Sequence, residues 1–181
     1  MRQQIENARE KLFEQGRRVL IEQGYERLNI KRLATACGMS TGSVYSYFDG
    51  KGDLVLQIMG RDWDKIIDAV RRETAGTKPF REKLVPVYRS FVRFEREYHL
   101  TSGGRVSKAG AECRAWNMRR MYDAVAELLR TEMDCGHLSR SVDPESAAYL
   151  LTQLFAAAGR NPDISFDQVW EFLGVRNSQN E

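Results

Sequence analysis

Asn29-Ile30-Lys31-Arg32-Leu33-Ala34-Thr35-Ala36-Cys37-Gly38-Met39-Ser40-Thr41-Gly42-Ser43-Val44-Tyr45-Ser46-Tyr47-Phe48-Asp49-Gly50-Lys51-Gly52-Asp53-Leu54 contains two helix starts and one tight turn. Asn29 can cap a helix opening at Ile30, and Ser40 a second opening at Thr41, because both side chains accept from otherwise unpaired first-turn amides. Leu33 and Ala34 fall on one side of the first helix, with the small Cys37 beside them. Gly38 supplies the turn and Met39 plugs the corner. Val44 and Phe48 form the inward side of the second helix. Two short helices around a glycine turn make a helix-turn-helix, whose second helix is sized for a DNA major groove. Its outward residues are Thr41, Ser43, Tyr45, Ser46 and Tyr47, whose hydroxyls suit phosphates and base edges. Lys51, just beyond, can reach a phosphate as a point charge.

Outward from this stretch, apolar residues recur at helical spacing and nowhere in sustained alternation. Ile5, Ala8, Leu12, Phe13, Val19 and Leu20 mark a first helix ended by Gly24. A stripe from Val55 to Val70 fades at Ala75-Gly76-Thr77-Lys78-Pro79, and Leu84 to Tyr98 makes the next helix. Thr101-Ser102-Gly103-Gly104 reads as a turn, and Trp116 to Leu129 as a long helix ended near Cys135-Gly136. Asp143-Pro144-Glu145 is a strong helix opening: a capping carboxylate, proline at the first position, then an acid in the first turn. Asn161-Pro162 closes that helix, and Phe166, Val169, Trp170 and Leu173 carry a last short one. The fold expected is all-α: a DNA-binding domain over residues 1–50 and a larger helical domain over 51–181.

The chain has 181 residues, 42% hydrophobic and 29% charged, a composition that suits a globular protein. No apolar run is long enough to span a bilayer and no signal-peptide pattern opens the chain, so a cytoplasmic protein is expected. Net charge is +3, unevenly spread. Residues 1–60 hold nine basic and seven acidic side chains, 61–122 fifteen and eight, and 123–181 four and ten. The basic excess thus lies outside the helix-turn-helix and reads as solvated helix faces. Cys37, Cys113 and Cys135 suggest neither a disulfide framework nor a zinc module. His99 and His137 are the only histidines, and Cys135-Gly136-His137 is at most half a metal site. Phosphate loops, nucleophile elbows and paired carboxylates are absent. No catalytic residue, metal ligand or cofactor is assigned.

The order Leu33-Ala34, Gly38-Met39-Ser40, Gly42-Ser43-Val44-Tyr45, Tyr47-Phe48, Lys51 and Leu54 resembles the DNA-binding region of TetR-type transcriptional regulators. The resemblance covers about residues 5–60. It implies a homodimer on a near-palindromic operator, usually a repressor released by a small molecule. Base reading would then fall on Thr41, Gly42 and Ser43, with Lys31 reaching in. Phosphate contacts would fall on Ser40, Tyr45, Tyr47 and Lys51. Plain surface is the alternative for Thr41, Ser43 and Lys31, and bracing of the three-helix core for Tyr45. Two positions depart from the family's habit. The fourth helix opens Gly50-Lys51-Gly52-Asp53, with a glycine in its first turn, and Arg32 stands where an acid is usual.

The resemblance also places an effector pocket between the long helices of the second domain. Trp63, Phe91, Phe94, Tyr98, Trp116, Met121 and Tyr122 are the expected lining, since large aromatics and methionines suit an adaptable cavity. Each also fits an ordinary core. The last two helices are expected to pair with their symmetry mates through Leu150, Leu151, Leu154, Phe155, Ala158, Val169, Trp170 and Leu173. The alternative is that both helices cover their own subunit. Three functions therefore stay open: a ligand-released repressor, a DNA-binding regulator without an effector, and a helical small-molecule binder with a vestigial DNA unit.

Overall fold

A computed structural model describes residues 2–99 and 108–174, and the turn expected over 101–104 lies outside them. Eight α-helices and one 3-10 turn, Tyr25–Arg27, are formed among the described residues, with no strand. The helices are α1 (Arg2–Gln23), α2 (Ile30–Ala36), α3 (Thr41–Tyr45), α4 (Lys51–Thr74), α5 (Phe80–His99), α6 (Lys108–Asp134), α7 (Pro144–Arg160) and α8 (Phe166–Phe172). Among the described residues no helix is long and apolar enough to cross a membrane. The chain divides into two compact units: residues 1–62 with 97–113, and residues 63–96 with 114–181. The unbroken α4 belongs to both.

In the first unit the caps foreseen from sequence are made. The Asn29 side chain accepts from the Arg32 amide, and that of Ser40 from the Ser43 amide. Leu12, Phe13 and Leu20 of α1, Leu33 and Ala34 of α2, and Val44 and Phe48 beside α3 are all buried. The Phe13 and Phe48 rings meet edge to face at 5.3 Å, a favoured aromatic arrangement. Leu54 and Ile58 of α4 complete this core.

In the second unit Trp63, Ile66, Ile67 and Val70 of α4 are buried, as are Leu84, Val87, Phe91 and Phe94 of α5. Pro86 lies inside α5, where it removes one backbone donor. Helix α6 begins at Lys108, eight residues before the first apolar marker used to find it. The Asp143 carboxylate caps α7 as expected, accepting from the Ser146 amide at 2.8 Å, and Pro144 follows. That bond holds the Asp143 carboxyl below its ordinary range. Helix α8 opens on a capping box unforeseen from sequence. Ser165 accepts from the Gln168 amide while the Gln168 side chain accepts from the Ser165 amide.

Helices α7 and α5 approach each other closely at Gly159. A methyl group there would collide with Cβ of Glu95 and lie 3.4 Å from the Val92 carbonyl oxygen. Gly159→Ala should therefore destabilise the chain by about 1–3 kcal/mol through overpacking. Alanine's helix preference, about 1 kcal/mol, acts in the opposite direction. A urea unfolding series reads the sign, and a more stable alanine variant would refute the close approach.

Candidate functional site

The turn that sets α3 against α2 is a complete hydrogen-bonded motif. The Gly38 amide donates to the Thr35 carbonyl at 3.1 Å and the Met39 amide to that of Ala34 at 2.9 Å. Gly38 has φ +70°, a left-handed conformation that costs glycine nothing. Burial of Val44 and Phe48 then turns the opposite side of α3 outward. Lys31, Ser40, Gly42, Ser43, Tyr45 and Ser46 are exposed, while Thr41, Tyr47 and Lys51 are half-buried. Tyr45 is 55% exposed, so it does not brace the core.

Hydrogen bonds order this surface. The Ser40 and Ser43 hydroxyls lie 2.8 Å apart, and the Ser46 hydroxyl donates to the Ser43 carbonyl at 2.7 Å. The Lys51 ammonium sits 4.1 Å from the centre of the Tyr25 ring, a cation–π contact that aims the side chain. Tyr25 was not foreseen from sequence as a part of the site.

The unusual opening of α4 is closed by other means. Gly50 has φ +143°, and the Asp53 carboxylate reaches back to accept from the Asp49 amide at 3.0 Å. The Gln57 side-chain amide holds both Asp53 oxygens at 3.0 Å. Gly52 is ordinary helix with open space around it.

A buried polar cluster, also unforeseen, fixes the opposite end of this unit. Asp62 of α4 is buried; its Oδ2 accepts from Arg17 Nε of α1 at 2.5 Å and from the Tyr98 hydroxyl of α5 at 2.7 Å. Arg17 Nη2 donates to Glu97 Oε2 at 2.6 Å. Burial, with the Asp62 charge and hydrogen bond, pushes the Tyr98 hydroxyl far above its ordinary range, so it stays a neutral donor. Burial pulls the Arg17 guanidinium down, but its bond to Asp62 and the nearby charges outweigh this and leave it raised. The signal was present in the sequence: Asp62 falls seven residues after Val55 and four before Ile66, on the apolar stripe of α4.

Residues 12–58 match the model of the bacterial regulatory proteins, tetR family. The stretch from α1 into α4 is thus similar to that family's DNA-binding region. The repressor AcnR of Corynebacterium glutamicum is 33% identical over 64 residues, covering 35% of this chain and 34% of the relative. The chain spans between a third and about half of the length of the curated relatives it matches. Among solved structures, reduced Escherichia coli NemR superposes with a TM-score of 0.76 at 16% identity, covering 93% of this chain and 94% of that one. AibR, in complex with isovaleryl coenzyme A and operator DNA, superposes at 0.59 with 18% identity, covering 92% and 95%.

The seven residues expected to line an effector pocket do not all meet. Trp63, Phe91, Phe94 and Met121 are buried, and Trp63 packs its ring 5.6 Å from Phe91 and 4.5 Å from Phe94. Tyr98 serves Asp62 instead. Trp116 is 60% exposed beneath the Arg120 guanidinium. Tyr122 packs on Tyr149, and its hydroxyl, raised in pKa chiefly by burial, accepts from the Gln153 amide. Of the eight expected interface residues, Leu151, Phe155, Ala158 and Val169 are buried in their own subunit. Leu150 is 60% exposed, and Leu154, Trp170 and Leu173 are half-buried.

Tyr98→Phe removes one donor from the buried Asp62 carboxylate and should lower the unfolding free energy by about 1.5–3 kcal/mol, the range for a hydrogen bond to a charged group. Circular dichroism in urea measures it. Wild-type stability in the variant would show that the hydroxyl contributes nothing.

Proposed function

We propose that the chain is a transcriptional regulator that binds operator DNA as a homodimer and represses until a small molecule releases it. The outward face of α3 carries this reading. Thr41, Gly42 and Ser43 stand at its start, and Tyr45, Tyr47 and Lys51 follow along one turn and its exit. The tetR-family match over 12–58 and the AibR complex with an acyl thioester and operator support the same assignment. Within it Thr41, Gly42, Ser43 and Lys31 read bases, while Ser40, Ser46, Tyr45, Tyr47 and Lys51 hold the backbone. The engaged hydroxyls of Ser40 and Ser43 make Thr41 the stronger source of sequence preference.

Selection from random duplexes would define the site. Lys51→Ala should weaken selected and random DNA alike and lower the salt slope by about one unit. Thr41→Ala should instead cost on the order of 1–3 kcal/mol at one base pair and relax preference there. Undiminished affinity after joint replacement of Tyr45, Tyr47 and Lys51 would end the reading.

One motif reads few base pairs, so a palindrome needs two held about 34–36 Å apart or at a multiple of that distance. The exposed sides of α7 and α8 offer the means. Tyr149, Leu150 and Phe172 are 51%, 60% and 77% exposed, with Leu154, Trp170 and Leu173 half-buried beside them. A two-fold interface on this face would bury at least ~1,200 Å². Leu154→Glu should yield a monomer with an intact far-ultraviolet spectrum and lost operator affinity. Sedimentation of the wild type as a monomer at micromolar concentration would exclude the dimer.

A further inference from the structure

The second unit holds a cavity of about 530 Å³ at the end of α6. Leu129 and Met133 of α6, Leu138 and Val142 of the following connector, and Leu150 of α7 supply apolar walls. Its size lies within the range of small-molecule sites. None of the seven residues expected to line a pocket borders it. Two polar side chains do: His137 and Ser139.

His137 is anchored from behind. The α6 helix ends with Gly136 at φ +77°, and the His137 and Leu138 amides both donate to the Glu132 carbonyl, at 2.9 and 3.3 Å. The Glu132 side chain is fully buried. Its Oε1 accepts from the equally enclosed Lys83 ammonium at 2.5 Å, and its Oε2 lies 2.8 Å from His137 Nδ1. Donation from Nδ1 to this carboxylate leaves Nε2 as the ring nitrogen open to a ligand. A buried lysine–glutamate pair adds little stability over apolar residues of similar size. Its effect here is orientation: it fixes the tautomer and plane of a histidine, as a carboxylate does behind a metal-bound imidazole.

We propose that this cavity binds a single-chain monocarboxylate, with the alkyl chain along the apolar walls and the carboxylate on His137 Nε2–H. Charge chooses the acid over other amphiphiles. A carboxylic acid brings the proton with which Nε2 donates back to the bound carboxylate, a charge-assisted hydrogen bond. An uncharged head group brings no acidic proton and makes one weaker hydrogen bond. Arg140, in the same connector, has its Nε 3.5 Å from the Met133 carbonyl and its charge paired with Asp134, so it adds no net charge. The site stands apart from the DNA reading, since binding needs no operator. It shares Leu150 and Leu173 with the proposed dimer face, so occupation by a second copy is the competing outcome.

The test is titration of the full chain, without DNA, with sodium decanoate and with decanol. Calorimetry and tryptophan fluorescence would follow it, since the Trp170 ring lies 5.8 Å from that of Phe80, a lining residue. One saturable decanoate site per chain is expected, about tenfold or more tighter than decanol, the worth of a charge-assisted hydrogen bond. His137→Gln should abolish that preference, and Val142→Asp should weaken decanoate by repulsion. Both positions are exposed, and an unchanged melting curve verifies folding. Absence of saturable binding overturns the proposal. So does decanoate binding that ignores both substitutions, which locates it elsewhere. Binding restricted to the Leu154→Glu monomer would assign the groove to a second copy and also overturn it.

Discussion

A carboxylate removed from water must be met by donors, and the Asp62 oxygen that faces Arg17 and Tyr98 shows how much structure one such requirement organises. The donors come from α1 and from the end of α5, so three helices distant in sequence are tied to one atom. Hydrophobic contact alone would let these helices slide, because burial of apolar area has no direction. The hydrogen bonds fix both the rotation of α1 about its axis and the point along α4 that faces it. Rotation of α1 places Phe13 against Phe48, and Phe48 decides which side of α3 is outward. The outward surface of α3 is thereby set from a buried carboxylate that touches none of it.

The helix-turn-helix was legible because its determinants are local. Asn29, Gly38 and Ser40 act on backbone groups within three residues of themselves, so type and spacing suffice to place them. The same holds for Asp143 and Pro144 at the start of α7. What escaped was decided by partners far along the chain. Arg17 and Asp62 are 45 residues apart, and Lys83 and Glu132 are 49 apart. In each pair a charged side chain occupies an inward position of an otherwise apolar stripe. That pattern marks a buried charge, but it does not name the partner.

Helix faces were legible less well than helices, for a geometric reason. The stripe Ala147, Leu150, Leu151, Leu154, Phe155 and Ala158 spans roughly 140° around α7, wider than the ~100° of a single core-facing stripe. The structure divides it. Leu151, Phe155 and Ala158 are buried in their own subunit, and Leu150 and Leu154 are left on the outer side. Gly159 draws α7 onto α5, which enforces the division. Sequence showed that the helix has more apolar surface than its own core needs, without showing where the boundary runs.

The aromatic cluster of Trp63, Phe91 and Phe94 illustrates the converse. Large rings in adjacent helices suit either a cavity or a packed core, and centroid separations of 4.5 and 5.6 Å are those of rings in contact. Among the described residues, space of ligand size lies at the end of α6, where a connector meets α7 and one histidine is held by two buried charges. A cavity needs walls that cannot collapse, and rigidity there comes from the glycine-ended helix and the engaged carboxylate rather than from ring size. Among the described residues both buried carboxylates therefore act at a distance from themselves: Asp62 on the orientation of α3, Glu132 on an imidazole that lines an apolar space.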